Sequence, residues 1–203
     1  MSKKIIKDDI DRFFDYDIHV PTRTIYMGSA EHDLEAGAES GVDTAMAERI
    51  MKSLHILDRV PDAPITILMN NIGGDFYHGM AIYDAIKACQ NHVTIQVFGH
   101  AMSMGAVILQ AADERIMSPN AKLMIHIGEI GFDGHAKNAY RWTEECKKND
   151  VVVETILLEK MQDKHPTMSH QKIKKMLDFD TYITAQKAIQ IGLADSVLKK
   201  NNA

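Results

Sequence analysis

Short apolar runs of strand length alternate with segments of helical period along this chain, and no other feature narrows its fold so much. Residues 24–27, Thr-Ile-Tyr-Met, read as an early strand. Met46, Ile50, Leu54 and Leu57 recur at helical spacing and mark one face of a helix over 44–57. Residues 65–69, Ile-Thr-Ile-Leu-Met after Pro64, form a run suited to a buried strand. Then follow a helix over 79–90, a strand over 93–98 and two short strands at 115–117 and 123–125. Such repetition predicts an α/β fold with much parallel pairing. No internal repeat, low-complexity tract or linker divides the chain.

A length of 203 residues with 45% hydrophobic content fits one domain with a substantial core. No apolar run approaches the roughly 20 residues needed to cross a bilayer. The start, Met1-Ser2-Lys3-Lys4-Ile5-Ile6-Lys7-Asp8-Asp9, lacks the uninterrupted apolar region of a secretion signal. Two cysteines, Cys89 and Cys146, lie in helix-like segments and point to a reducing compartment. The expectation is a cytoplasmic protein with no membrane partner. A net charge of −5 gives no sign of nucleic-acid binding.

Chemistry concentrates in Gly99-His100-Ala101-Met102-Ser103-Met104-Gly105-Ala106, where a serine joins the strand over 93–98 to a helical run over 106–112. A serine there projects its hydroxyl where free helix N–H groups can stabilise an oxyanion, although alone it is more often a helix cap. Met124-Ile125-His126 and Asp178-Phe179-Asp180-Thr181-Tyr182 follow in order. Alone, His126 reads as a half-buried strand-end residue and either aspartate as a turn or cap. Together they supply a nucleophile, a base and an orienting carboxylate. Residues two apart on an extended segment face the same side, so periodicity leaves Asp178 and Asp180 both open. Gly73-Gly74 follows the strand over 65–69, where glycine lets a backbone N–H approach a ligand closely; by itself the pair indicates only a turn.

His32, His78, His92, His100, His165 and His170 lack compact metal-ligand spacing, and solvated loop positions explain them better. His100 lies three residues before Ser103 at a tight turn, a poor geometry for a base. No phosphate loop or dinucleotide fingerprint is present, so neither a metal nor a cofactor is expected.

The chain resembles the proteolytic subunit of the Clp protease (the ClpP family). The matching stretches are Asn71-Ile72-Gly73-Gly74, Gly79-Met80-Ala81-Ile82-Tyr83-Asp84, the Ser103 segment, Ser118-Pro119-Asn120-Ala121-Lys122-Leu123-Met124-Ile125-His126, Ile183-Thr184-Ala185 and Ala188-Ile189-Gln190-Ile191-Gly192-Leu193-Ala194-Asp195-Ser196. They extend over about 14–198, with order and spacing kept from Gly73 onward. The resemblance implies a crotonase-like α/β spiral of repeated β-β-α units. It assigns 14–203 to one protease domain, 1–13 to an N-terminal segment and about 127–163 to a protruding handle helix. It implies a serine endopeptidase acting on unfolded or small polypeptides, with Ser103 as nucleophile, His126 as base, Asp180 as orienting residue, and the N–H groups of Gly74 and Met104 as oxyanion donors. It further implies homo-oligomeric heptameric rings, stacked as a tetradecamer through the handle, and an AAA+ unfoldase partner that would carry any ATP requirement.

Several positions depart from the family pattern. Ile72 stands where a proline precedes the glycines, Ile127-Gly128 replaces a Gln-Pro pair after His126, and Thr181 replaces an arginine of a charge network between rings. Residues 29–41 form a connection longer than usual, expected to be an exposed acidic loop. The strand over 65–69 lacks the tyrosines of the unfoldase docking pocket, and the stretch before Phe14 lacks the apolar, proline-bearing axial segment. A crotonase-type acyl-CoA enzyme would need oxyanion donors but not Ser103, His126 and Asp180 together. A non-catalytic ring subunit is expected to lack one of the three.

Overall fold

A computed structural model describes residues 7–28 and 41–199. The expected acidic loop falls almost wholly on residues 29–40, outside the described residues.

The elements run α1 (Lys7–Tyr16), β1 (Ile18–His19), β2 (Thr24–Met27), α2 (Thr44–Leu57), β3 (Ile65–Asn71), α3 (Phe76–Ala88), β4 (Val93–Met102), α4 (Met104–Leu109), β5 (Glu114–Met117), β6 (Lys122–Ile125), α5 (Ala136–Gln162), α6 (His170–Leu177), β7 (Thr181–Thr184), α7 (Ala185–Ile191) and β8 (Ser196–Val197). α1 runs unbroken across residue 14. Helix α3 begins three residues before the expected start, because Asp75 caps it by accepting a hydrogen bond from His78 N.

Strands β2, β3, β4, β5 and β8 pair in parallel in that order, with β1 antiparallel on the outer edge of β2. Alternation in β3 buries Ile65, Ile67, Met69 and Asn71 and leaves Thr66, Leu68 and Asn70 half-buried. Helix α2 turns Met46, Ala47, Ile50, Leu54 and Leu57 into the same core. Each such Ile or Leu contributes about 1.5–3 kcal/mol of hydrophobic stabilisation. The two expected mid-chain strands are present, but β4 continues four residues past its apolar run.

That extension divides the sheet. The first half of β4 pairs with β5, from Thr94↔Glu114 to Val97↔Met117; its last three residues pair instead with β6, from His100↔Lys122 to Met102↔Met124. Against β3 the register passes from Met69↔Val97 to Asn71↔Ala101, so β4 takes up two extra residues. Gly99 makes the excursion at φ +69, and a Cβ there would stand 2.4 Å from Asn70 Oδ1. Asn70 Oδ1 in turn accepts from His100 N at 3.2 Å. β4 is thereby redirected towards β6, and β6 pairs antiparallel with β7.

The C-terminal half of α5 is anchored in the core through Leu157, Leu158 and Met161. From Ala136 to Val153 the helix has no buried residue, and Tyr140, Val151 and Val152 are exposed. No helix of the described residues is long and apolar enough to cross a membrane.

Candidate active site

Ser103 is the single residue between β4 and α4. Its φ of 49° and ψ of −121° match the first central position of a type II′ turn, where glycine is at home. For another residue this conformation costs of order 1–3 kcal/mol and persists only when the surroundings enforce it. The enforcement is visible. Ser103 N donates to Met124 O at 2.8 Å, and Ser103 O accepts from Ala106 N at 3.0 Å. The strand therefore ends and the helix begins within one residue, and the hydroxyl is held clear of both.

His126 immediately follows β6, the strand on which Ser103 is anchored, and its Nε2 lies 2.8 Å from Ser103 Oγ. Its Nδ1 lies 3.1 Å from Asp180 Oδ1. The last register pair of β6 with β7 is Ile125↔Thr181, so the next residue outward on each strand is His126 and Asp180. Asp178 is elsewhere. It closes α6 with a helical φ of −60°, its N–H bonded to Lys174 O. The segment 178–180 is thus not extended, and the two aspartates do not share a face. Thr181, where an arginine was expected, donates its hydroxyl to Met176 O at 2.7 Å and ties the start of β7 to α6.

Gly73 and Gly74 sit beside this turn. Gly73 has φ +98, and a Cβ on it would stand 2.7 Å from Ser103 Cβ and 2.8 Å from Met104 N. Only glycine permits that approach. Gly74 bridges Val42 through its neighbours, with Val42 N donating to Gly73 O and Asp75 N to Val42 O. The N–H of Gly74 itself therefore points away from Val42. Met104 N opens α4 and so has no acceptor within the helix. Asn71 sets up the glycine turn: fully buried, it accepts from Gly73 N at 2.9 Å. Its role was not drawn from the sequence, although it heads the motif; its only signal is a polar residue at an inward strand position.

These groups open into one cleft of about 550 Å³, whose far wall is α5 through Trp142, Cys146, Asp150, Val153 and Leu157. The helix expected to act as a handle between rings therefore also forms a wall of the cleft. Burial pushes the Asp150 carboxyl above the usual carboxylate range, a hydrogen bond from Gly128 N–H offsets this in part, and Glu154 adds to it. Burial, with Asp150 and Glu145 nearby, also raises the Cys146 thiol. His100 is in β4, with its N–H on Asn70, while His126 is the histidine on Ser103. Among the described residues no group of three His, Cys, Asp or Glu side chains is placed to hold a metal.

The Clp protease family model matches residues 33–201. The chain belongs to the Clp protease family. The ATP-dependent Clp protease proteolytic subunit of Deinococcus radiodurans is 32% identical over 161 residues, covering 77% of this chain and 76% of that protein. A single-substitution mutant of ClpP1 from Listeria monocytogenes shares the fold with a TM-score of 0.74 at 23% identity, over 90% of this chain and 95% of that one. The fold is therefore of the ClpP type, and the protein is a peptidase of the Clp protease kind.

Proposed function

We propose that this Clp protease family member is a serine endopeptidase using Ser103, His126 and Asp180. The observation that carries the reading is the unbroken relay from Ser103 Oγ to His126 Nε2 at 2.8 Å and from His126 Nδ1 to Asp180 Oδ1 at 3.1 Å. As Ser103 Oγ attacks a peptide carbonyl carbon, its proton passes to His126 Nε2. Asp180 accepts the Nδ1–H, keeps the ring in the productive tautomer and stabilises the imidazolium. The N–H groups of Gly74 and Met104 receive the negative charge that develops on the carbonyl oxygen. His126 then protonates the departing amine, and a water activated by the same nitrogen hydrolyses the acyl-serine. An acyl-CoA lyase or isomerase of related fold has no use for this relay, and a non-catalytic subunit has no need to hold Ser103 in a strained turn.

The substrates are unfolded or small polypeptides, cleaved in a chamber formed by heptameric rings of the chain that stack through α5 into a tetradecamer. Tyr140, Val151 and Val152 support the stacking, being exposed on a half-helix with no buried residue of its own. An AAA+ unfoldase would feed that chamber and account for any ATP requirement, and a cytoplasmic location suits two unpaired cysteines. The deciding experiment is labelling with a fluorophosphonate together with hydrolysis of a fluorogenic peptide. Both should be present in the native chain and absent in Ser103→Ala at unchanged fold. Equal labelling of the variant would refute the assignment.

A further inference from the structure

Along α5 the cleft wall changes character within two turns. Leu157 is fully buried, Val153 half-buried, and Asp150 stands one turn nearer the helix start, about 4.5 Å further along the axis. Apolar rungs topped by a carboxylate match a side chain with an aliphatic stem and a cationic head, the shape of lysine and arginine. Trp142 lines the same wall two turns above Asp150, and its Nε1 donates to Gly131 O at 3.1 Å; an indole beside a bound cation adds a further attraction.

The other charges around the cleft leave this role to Asp150. Asp75 is occupied as the cap of α3 and Asp180 holds His126, while Glu129 is exposed on the rim. Among the described residues no lysine or arginine lines the cleft. Glu154, the next carboxylate on α5, is buried and paired with His170 Nδ1 at 3.0 Å. The nearby Gly128 N–H favours the ionised form of Asp150, and a carboxylate has about four acceptor positions to fill. A partly buried carboxylate with a second one beside it is stabilised by an incoming cation.

Resting on the serine-peptidase reading above, we propose that Asp150 makes this cleft selective for a lysine or arginine at the residue that supplies the scissile carbonyl. Ser103, Met104, Val107 and Asp150 line the same cleft, which is why the side chain recognised is assigned to the residue whose carbonyl Ser103 attacks.

The test uses three fluorogenic tetrapeptide amides identical except for Lys, Leu or Glu before the amide. They are cleaved by the native chain, Asp150→Asn, Asp150→Lys and Ser103→Ala, with fluorophosphonate labelling of Ser103 as a measure of site integrity. The native kcat/KM ratio of the Lys to the Glu peptide should be about tenfold or more. Asp150→Asn should lower the Lys:Leu ratio about tenfold, and Asp150→Lys should turn the preference towards Glu. If Asp150→Asn slows all three peptides alike, Asp150 is only a latch on the Gly128 loop and the proposal is overturned. A native Lys:Glu ratio near one, with Ser103-dependent cleavage and normal labelling, overturns the subsite while the peptidase stands. Failure of labelling and cleavage in the native chain overturns both.

Discussion

His126 and Asp180 face each other one residue beyond the last backbone pair of an antiparallel ladder, with Nδ1 and Oδ1 3.1 Å apart. The relationship belongs to the register of β6 and β7. A slip of one residue would set Phe179 or Thr181 against the imidazole, because neighbouring strand residues face opposite sides. Asp180→Asn should therefore lower turnover by up to roughly 10⁴-fold, the loss known for this change in the serine-protease triad. Asp178→Asn should leave turnover within a few-fold, since Asp178 only closes α6. Steady-state peptide hydrolysis by the two variants checks this, and the reverse order would refute the pairing.

The backbone strain at Ser103 has a measurable sign. Ser103→Gly removes the Cβ penalty at φ 49° but adds freedom to the unfolded chain. Ser103→Ala keeps the strain. Both variants should be inactive, and the glycine variant should be the more stable by about 1 kcal/mol in urea unfolding. Equal stability would show that the strain is no larger than the freedom glycine adds to the unfolded chain.

Arg115 clasps the C-terminal part of the domain. Its guanidinium donates to Gln110 Oε1 at 2.6 Å, to Gly192 O at 2.8 Å and to Asp195 Oδ1 at 2.6 Å. Arg115→Ala leaves polar groups unpaired in a buried place and should cost about 3 kcal/mol. Burial works against ionisation of Asp195, but the hydrogen bonds and charge of Arg115 outweigh it and hold its pKa below the ordinary value. A lowered carboxylate pKa gives stability that is complete above about pH 5 and fades as pH falls through the lowered value. Denaturation from pH 7 to pH 2 should show the gap between native and Asp195→Asn closing on that acid side. A gap constant with pH would refute the linkage.

Assembly is tested by mass. Sedimentation at micromolar concentration should find species far larger than the 22.8 kDa chain. Charged substitutions at Val151 and Val152 should separate stacked rings, because like charges at a self-complementary contact meet across its two-fold axis. A stable, active monomer throughout that range would defeat the chamber and leave the relay chemistry intact.

The strand–helix alternation, the helix over 44–57 and the buried run after Pro64 were legible in the sequence, because burial of one face leaves a period of two or of 3.6 in the residues themselves. Ser103 and His126 were legible as motif positions by resemblance. Three things were not. Choosing geometrically between Asp178 and Asp180 needs the end of α6, where Lys174 O receives the Asp178 N–H and the chain ceases to be extended. The need for glycine at position 73 comes from Ser103, thirty positions along the chain, whose Cβ would lie 2.7 Å from any Cβ placed there. The wall formed by Trp142, Asp150 and Val153 comes from a helix whose own sequence shows apolar surface beyond a single stripe but not which part of the molecule that surface meets. Local patterning records which side of an element is buried. Which distant group meets that side is decided by strand register and helix docking, and these are properties of pairs of segments that no single segment encodes.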